Sequence, residues 1–338
     1  MFWLLLKILL VVMVIQGTVA YLIYIERKVC AYLQDRIGPN RVGWHGLLQP
    51  IADGGKLILK EPFVPEGANK ILYIIAPAIS VFTTTIGFAV VPFGSTTPGD
   101  PGAFQAVIAP GIDVGILYVF AISSLAVYAV ILGGWASNNK YSFLGAMRSS
   151  AQLVSYEIPL GLSVLGVVIM ARTLNLERII QAQADRTWFI FYQPIACVLF
   201  FASALAESNR LPFDLPECEQ ELIGGYHTEY SGMRWAMFFF GEYTHMITVS
   251  FLMSILFLGG WDLPWLHEAG ATSFLACVLK LVVLCTKAFA LILFMMWIRW
   301  TLPRFRFDQL MNLAWKMFIP LALANLVATA LVVHGLRS

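Results

Sequence analysis

Charge is scarce in this sequence of 338 residues: Asp, Glu, Lys and Arg make up only 12% of it, about half the ~25% usual in soluble domains. The 59% of hydrophobic residues exceeds the roughly 45–50% of such domains. A chain this apolar belongs in a bilayer. An excess of one sign is missing too: 22 basic and 20 acidic residues leave a net charge of +2. No phosphate-binding surface is built on that balance, and nucleic acid is not expected as a partner. The five cysteines, Cys30, Cys197, Cys218, Cys277 and Cys285, form no CxxC pair and no zinc-type spacing with histidine. This suggests no disulfide framework, and neither a metal nor an iron–sulfur cluster is expected on this chain. The five histidines are scattered, and only His245 and His334 fall in apolar segments. They read as structural or interfacial residues rather than haem ligands. No basic stretch precedes the N-terminal apolar run, which continues past Ala20 to Glu26-Arg27-Lys28; it reads as a retained helix, not a cleaved signal.

Long hydrophobic runs are abundant. Crossing the ~30 Å hydrocarbon layer takes roughly 20 apolar residues in a helix. Eight runs qualify, at about 2–25, 70–92, 112–136, 151–171, 188–206, 235–259, 272–298 and 314–335. No hydrophilic stretch is long enough for a soluble domain, so residues 1–338 are expected to form one transmembrane domain, an all-α bundle of about eight helices. Fifteen Lys and Arg residues lie in the loops after the first, third, fifth and seventh runs, and five on the other side. Because positive loops stay on the cytoplasmic or matrix side, both termini are expected on the outer side. Lys280 and Lys287 lie within the seventh run.

The first loop is long. Its segment 47–60 places Gln49, Asp53, Lys56 and Lys60 on one helical face and Leu47, Leu48, Ile51, Ile58 and Leu59 on the other, the pattern of an amphipathic helix lying in the membrane interface. A connector helix covering the bundle is the plainer alternative.

Carboxylates in apolar segments need a partner, a proton or a watery cavity. Glu157, Glu207 and Glu242 fall near the inner ends of the fourth, fifth and sixth runs, which predicts a common depth in the inner half of the membrane and a chain of proton sites; snorkelling caps are the alternative. The loop at about 207–234 adds Asp214, Glu217, Glu219, Glu221 and Glu229 against Arg210 and Arg234. Crowded carboxylates raise one another's proton affinity. The segment Leu211-Pro212-Phe213-Asp214-Leu215-Pro216 breaks helix and intersperses apolar residues, which predicts a loop packed into the protein; a solvated acidic loop docking a partner is the other reading.

Several motifs carry a resemblance. In order, Glu26-Arg27-Lys28, the run 36–43, the run 46–53, Gly134-Trp135-Ala136-Ser137, Ser155-Tyr156-Glu157, Ala206-Glu207-Ser208-Asn209-Arg210, Pro212-Phe213-Asp214-Leu215-Pro216-Glu217, Glu229-Tyr230-Ser231, Glu242-Tyr243, Trp297-Ile298-Arg299 and the run 303–310 resemble the H-type membrane subunit of respiratory complex I, NADH:quinone oxidoreductase. The likeness is collinear over nearly the whole chain. It implies a quinone tunnel, at which Arg27, Arg36, Asp53 and Arg299 match tunnel or loop positions and Trp235, Phe239 and Phe240 match the tunnel mouth; an interfacial aromatic belt is the alternative for these aromatics. It further implies an acidic proton channel of Glu157, Glu207, Asp214, Glu217, Glu219, Glu221, Glu229 and Glu242, with Lys287 at the family's helix-7 lysine. Ser124 stands where some bacterial members have a carboxylate, and Lys280 matches no family position.

By this resemblance the chain binds no cofactor of its own and takes ubiquinone or menaquinone as substrate. Iron–sulfur clusters and FMN are expected in partner subunits: the peripheral-arm quinone-site and iron–sulfur subunits, beside small membrane neighbours. The membrane is an inner one, of a bacterium or a mitochondrion. Two rival readings remain, the membrane anchor of a related hydrogenase or dehydrogenase, and a stand-alone secondary transporter, for which the echo between Leu132-Gly133-Gly134-Trp135 and Leu258-Gly259-Gly260-Trp261 is a faint hint of an internal repeat.

Overall fold

A computed structural model describes residues 2–94, 107–109, 111–184, 187–214, 223–263 and 274–335. Its helices in order are α1 (Phe2–Leu33), α2 (Gln49–Leu59), α3 (Lys70–Ile86), α4 (Gly115–Ser124), α5 (Ala126–Ala136), α6 (Lys140–Ala171), α7 (Leu176–Ala184), α8 (Phe189–Tyr192), α9 (Pro194–Glu207), α10 (Gly232–Phe257), α11 (Phe274–Thr301), α12 (Phe307–Asn312) and α13 (Ile319–Gly335). There is no β-strand among the described residues. Among the described residues, seven stretches are long and apolar enough to cross a membrane: Trp3–Leu33, Lys70–Val90, Gly115–Ala136, Lys140–Ala171, Gly232–Phe257, Leu275–Thr301 and Phe307–Gly335. The remaining apolar run folds as α9, only 14 residues long, with α8 in series before it. The protein is an all-helical, multi-pass membrane bundle, and the short amphipathic helix of the first loop is present as α2.

Local chemistry sets the ends. The Asn69 side chain accepts from Leu72 N–H at the start of α3, and Asn139 accepts from Tyr141 N–H at the start of α6, each satisfying a donor that the first turn leaves open. Helix α6 stops at Arg172, which turns left-handed (φ 57°) and donates its N–H to Val168 O, the usual way of returning a bond to the last carbonyls. Pro194 opens α9, where its missing N–H costs nothing.

Three helices run further than the apolar runs suggest. Charged residues can extend a helix beyond the hydrocarbon, so hydropathy alone underestimates length. Helix α1 continues to Leu33 and holds Glu26, Arg27 and Lys28 in helix rather than loop. Helix α11 reaches Thr301 and holds Arg299 in its last turn. Helix α6 begins at Lys140, not near 151, so Glu157 lies midway along it rather than early.

The axis of the bundle is α10. Every residue from Tyr243 to Phe257 on it is buried, and it packs against α1, α2, α3, α7, α9 and α11. A helix buried on all sides must also satisfy its own polar groups. Its hydroxyls are satisfied locally: Thr244, Thr248, Ser250 and Ser254 each donate to the carbonyl four residues earlier. The span made by α4 and α5 is broken at Leu125, whose N–H reaches Ile122 O in a tighter turn, next to Ser123 and Ser124.

Candidate quinone chamber and carboxylate cavity

Where α1, α2, α10 and α11 meet, the bundle encloses a cavity of about 600 Å³. The lining combines apolar and aromatic side chains, among them Ile23, Ile58, Trp235, Phe239, Phe240 and Trp300, with the charged Arg27, Arg36, Asp53 and Arg299. All seven residues expected around a quinone therefore line one chamber. Among the charged groups, Arg27 and Asp53 pair at 2.6 Å, and Gln49 donates to the second oxygen of Asp53 at 2.9 Å. The pair fixes α2 against α1. Trp235 and Phe239 lie with ring centroids 4.1 Å apart.

The inner wall of the chamber is a buried charge cluster. Glu26 on α1 accepts from Arg210 at 3.1 and 3.2 Å, from Tyr243 Oη at 2.6 Å, and from Arg299. The Arg210 guanidinium also covers the Tyr243 ring at 4.0 Å. Burial alone would push Arg210 toward its neutral form, but the Glu26 carboxylate more than reverses this and holds its pKa above the ordinary arginine value. One acid with two arginines leaves a net positive centre beside a space able to take a polar head group.

A second, smaller cavity of about 50 Å³ lies on the other face of α10. Glu157 of α6, Glu207 at the end of α9 and Glu242 of α10 all line it, together with Tyr226, His245 and the hydroxyls of Ser80, Thr84, Ser123 and Ser124. Tyr226 donates to Glu242 at 3.1 Å, and His245 Nε2 lies 3.5 Å from Glu207 Oε1. Three glutamates spaced 50 and 35 residues apart thus share one pocket. Glu207 and Asn209 on this cavity are the near sequence neighbours of Arg210, and Glu242 precedes Tyr243, so the two cavities share a wall.

Other predicted residues lie elsewhere. Asp214 is buried and pairs with Arg304 at 3.2 Å. Glu229 accepts from Asn139 at the start of α6, at the edge of the bundle. Lys287 donates to the carbonyls of Leu258, Gly260 and Asp262 at 2.7, 2.9 and 2.6 Å, so it caps the far end of α10 and is not brought to the glutamates. Lys280 is buried, with its ammonium 5.9 Å from the Trp261 ring. Glu217, Glu219 and Glu221 lie outside the described residues. The loop itself is packed inward as far as Asp214: Gln152 donates to Ala206 O and Phe213 O, and Pro212 O accepts from Phe305 N–H.

The sequence reading left out four residues that the fold puts at these sites: Glu26, Arg210 and Tyr243 in the charge cluster, and His245 on the small cavity. Each had a signal. Glu26 is the first acid after an apolar run of two dozen residues, and His245 follows Glu242 by three positions, one helical turn on the same face.

The chain matches a family model described as NADH dehydrogenase over residues 6–330. It is 49% identical over 311 residues to an H-type subunit of NADH-quinone oxidoreductase from Cytophaga hutchinsonii, covering 91% of this chain and 90% of that protein. It is 47% identical over 337 residues to the corresponding NADH-quinone oxidoreductase protein of Geobacter sulfurreducens, covering 97% and 94%, and 47% identical over 317 residues to that of Flavobacterium psychrophilum, covering 92% and 91%. With its motifs, its helices and these relatives in agreement along nearly the whole length, the chain belongs to the NADH dehydrogenase family that includes the H-type subunits of NADH-quinone oxidoreductase.

Proposed function

We propose that this chain is the quinone-site membrane subunit of a proton-translocating NADH:quinone oxidoreductase, and that the large chamber receives the quinone. The observation that carries this is the meeting of aromatic and cationic side chains in the lining of a single space. An isoprenoid tail needs an apolar passage and a quinone carbonyl needs donors at its end. Reduction to the quinol takes two electrons and two protons, and the carbonyl oxygens gain negative charge as electrons arrive. Arg27, Arg36 and Arg299 around the chamber stabilise that charge. The electrons come from iron–sulfur clusters in a partner subunit of the peripheral arm, where FMN accepts them from NADH; this chain supplies the site and no redox group.

Glu157, Glu207 and Glu242 form the start of a proton route. Charge changes at the quinone reach them through the cluster of Glu26, Arg210 and Tyr243: Glu26 and Tyr243 line the chamber, and Arg210 and Tyr243 directly follow Asn209 and Glu242 of the small cavity. The acidic loop at 207–234 extends the route. The membrane is an inner one with both termini outside, and the small membrane subunits of the complex are the neighbours. The experiment uses the assembled complex in vesicles with NADH and a short-chain quinone. Glu157→Gln and Glu207→Gln are expected to assemble yet slow quinone reduction and lower the protons moved per electron. Full translocation in both variants would remove the proton-route reading. Co-purification with a hydrogenase large subunit and no NADH-oxidising subunits would remove the respiratory one.

A further inference from the structure

We propose that His245 is a proton-carrying partner of Glu207, so that the small cavity exchanges protons between an imidazole and three carboxyls. This deepens the proton-route reading above and rests on it. His245 is only 8% exposed, and its Nε2 is shielded from solvent with no hydrogen bond inside the protein. A histidine kept for packing normally has a buried ring nitrogen satisfied by a carbonyl or hydroxyl. Of the hydroxyls lining this cavity, Thr84 on α3 and Ser123 and Ser124 on α4 give their protons to carbonyls of their own helices.

The titratable groups on this cavity are Glu207 from the end of α9, Glu157 from α6, Glu242 from α10 and Tyr226 from the turn before α10; α3 and α4 contribute hydroxyls only. Among these lining groups His245 alone can carry positive charge. The one group able to become a cation thus faces a carboxyl across 3.5 Å, within reach for a proton to pass between them. The transfer is local. The Glu207 carboxyl O–H breaks, an N–H forms on His245 Nε2, and a neutral pair becomes a carboxylate and an imidazolium of the same total charge. The imidazolium then releases its proton through cavity water to an ionised Glu157 or Glu242. A space of about 50 Å³ has room for one or two waters, at roughly 30 Å³ each.

The test compares wild type, His245→Asn, Glu207→Gln and the double variant in the assembled complex, in sealed vesicles with NADH and a short-chain quinone. Turnover and proton uptake are followed across the range in which imidazole titrates. The proposal expects His245→Asn to lower coupled turnover at least fivefold and to change the shape of the pH profile. It also expects the double variant to be no worse than Glu207→Gln. A pH profile of unchanged shape with the same protons per electron overturns the proposal, as does full additivity. Infrared spectra of the wild-type complex carrying isotope-labelled histidine give a measurement independent of the variants' assembly: a histidine band that changes on quinone reduction supports the proposal, and its absence overturns it. If Glu157→Gln also leaves pumping intact, the proton-route reading itself has failed. If Glu157→Gln impairs pumping while His245→Asn is silent, only the histidine's role is lost.

Discussion

Glu26 is the residue on which most of the buried charge depends. Removing its charge takes from Arg210, which is 8% exposed, the carboxylate that it is bonded to. Breaking a buried pair in this way costs about 3–5 kcal/mol. Glu26→Gln is therefore expected to reduce the assembled complex sharply on a native gel and to lower its inactivation temperature. Asp53 differs, because its bridge to Arg27 is half exposed and such bridges contribute about 0–1 kcal/mol. Asp53→Asn is expected to leave assembly intact and raise the apparent KM for quinone, measured with wild type in parallel. This contrast marks what the sequence made legible. Arg27 and Asp53 lie in segments that resemble the family's motifs, and the aromatics of α10 at positions that resemble its tunnel mouth, so the sequence alone suggested grouping them. Glu26 and Arg210 belong to the same motifs but read as ordinary helix-end charges, since only the fold brings residues 184 positions apart into contact.

At the scale of elements, small residues decide which helices touch. Inside a membrane, close packing rather than a hydrophobic drive holds helices together. A Cβ on Gly134 would run into Ala146 Cβ and lie 2.6 Å from Ser142 O, whereas Gly161 has open space. Gly134→Ala is expected to cost about 1–3 kcal/mol of overpacking, seen as a lower inactivation temperature, while Gly161→Ala should match wild type. The same geometry explains the echo between the two Leu-Gly-Gly-Trp segments. Gly134 serves the contact of α5 with α6, whereas Gly259 and Gly260 have φ of 72° and 56° and end α10. A repeat of letters was legible, but its two copies do different work. Lys287 belongs to this second turn. Lys287→Met leaves three carbonyls without their donor, and at about 1–3 kcal/mol for an unmet buried group it is expected to lower thermal stability. The eight apolar runs were legible because hydropathy marks the hydrocarbon layer. Helix ends were not, because charged turns continue past that layer with no apolar signal.

Over the whole molecule, one buried helix serves two spaces. Phe239, Phe240 and Tyr243 of α10 face the chamber, while Gly241, Glu242 and His245 line the carboxylate cavity. A shift of α10, or of the Arg210 side chain behind it, is thus felt on both sides. Tyr243→Phe removes the 2.6 Å donor to Glu26 and is expected to lower kcat of quinone reduction with little change in KM. That the three glutamates meet was legible from their common depth; that they meet at a histidine was not, because depth says nothing about which faces of three helices converge. The most direct measurement is photolabelling of the assembled complex in its own membrane with an azido-quinone, followed by mapping of the labelled peptides. The account predicts adducts in segments 20–37, 50–58 and 233–243 of this chain, suppressed by excess unlabelled quinone. Labels confined to other parts of this chain, or insensitive to competing quinone, would contradict it.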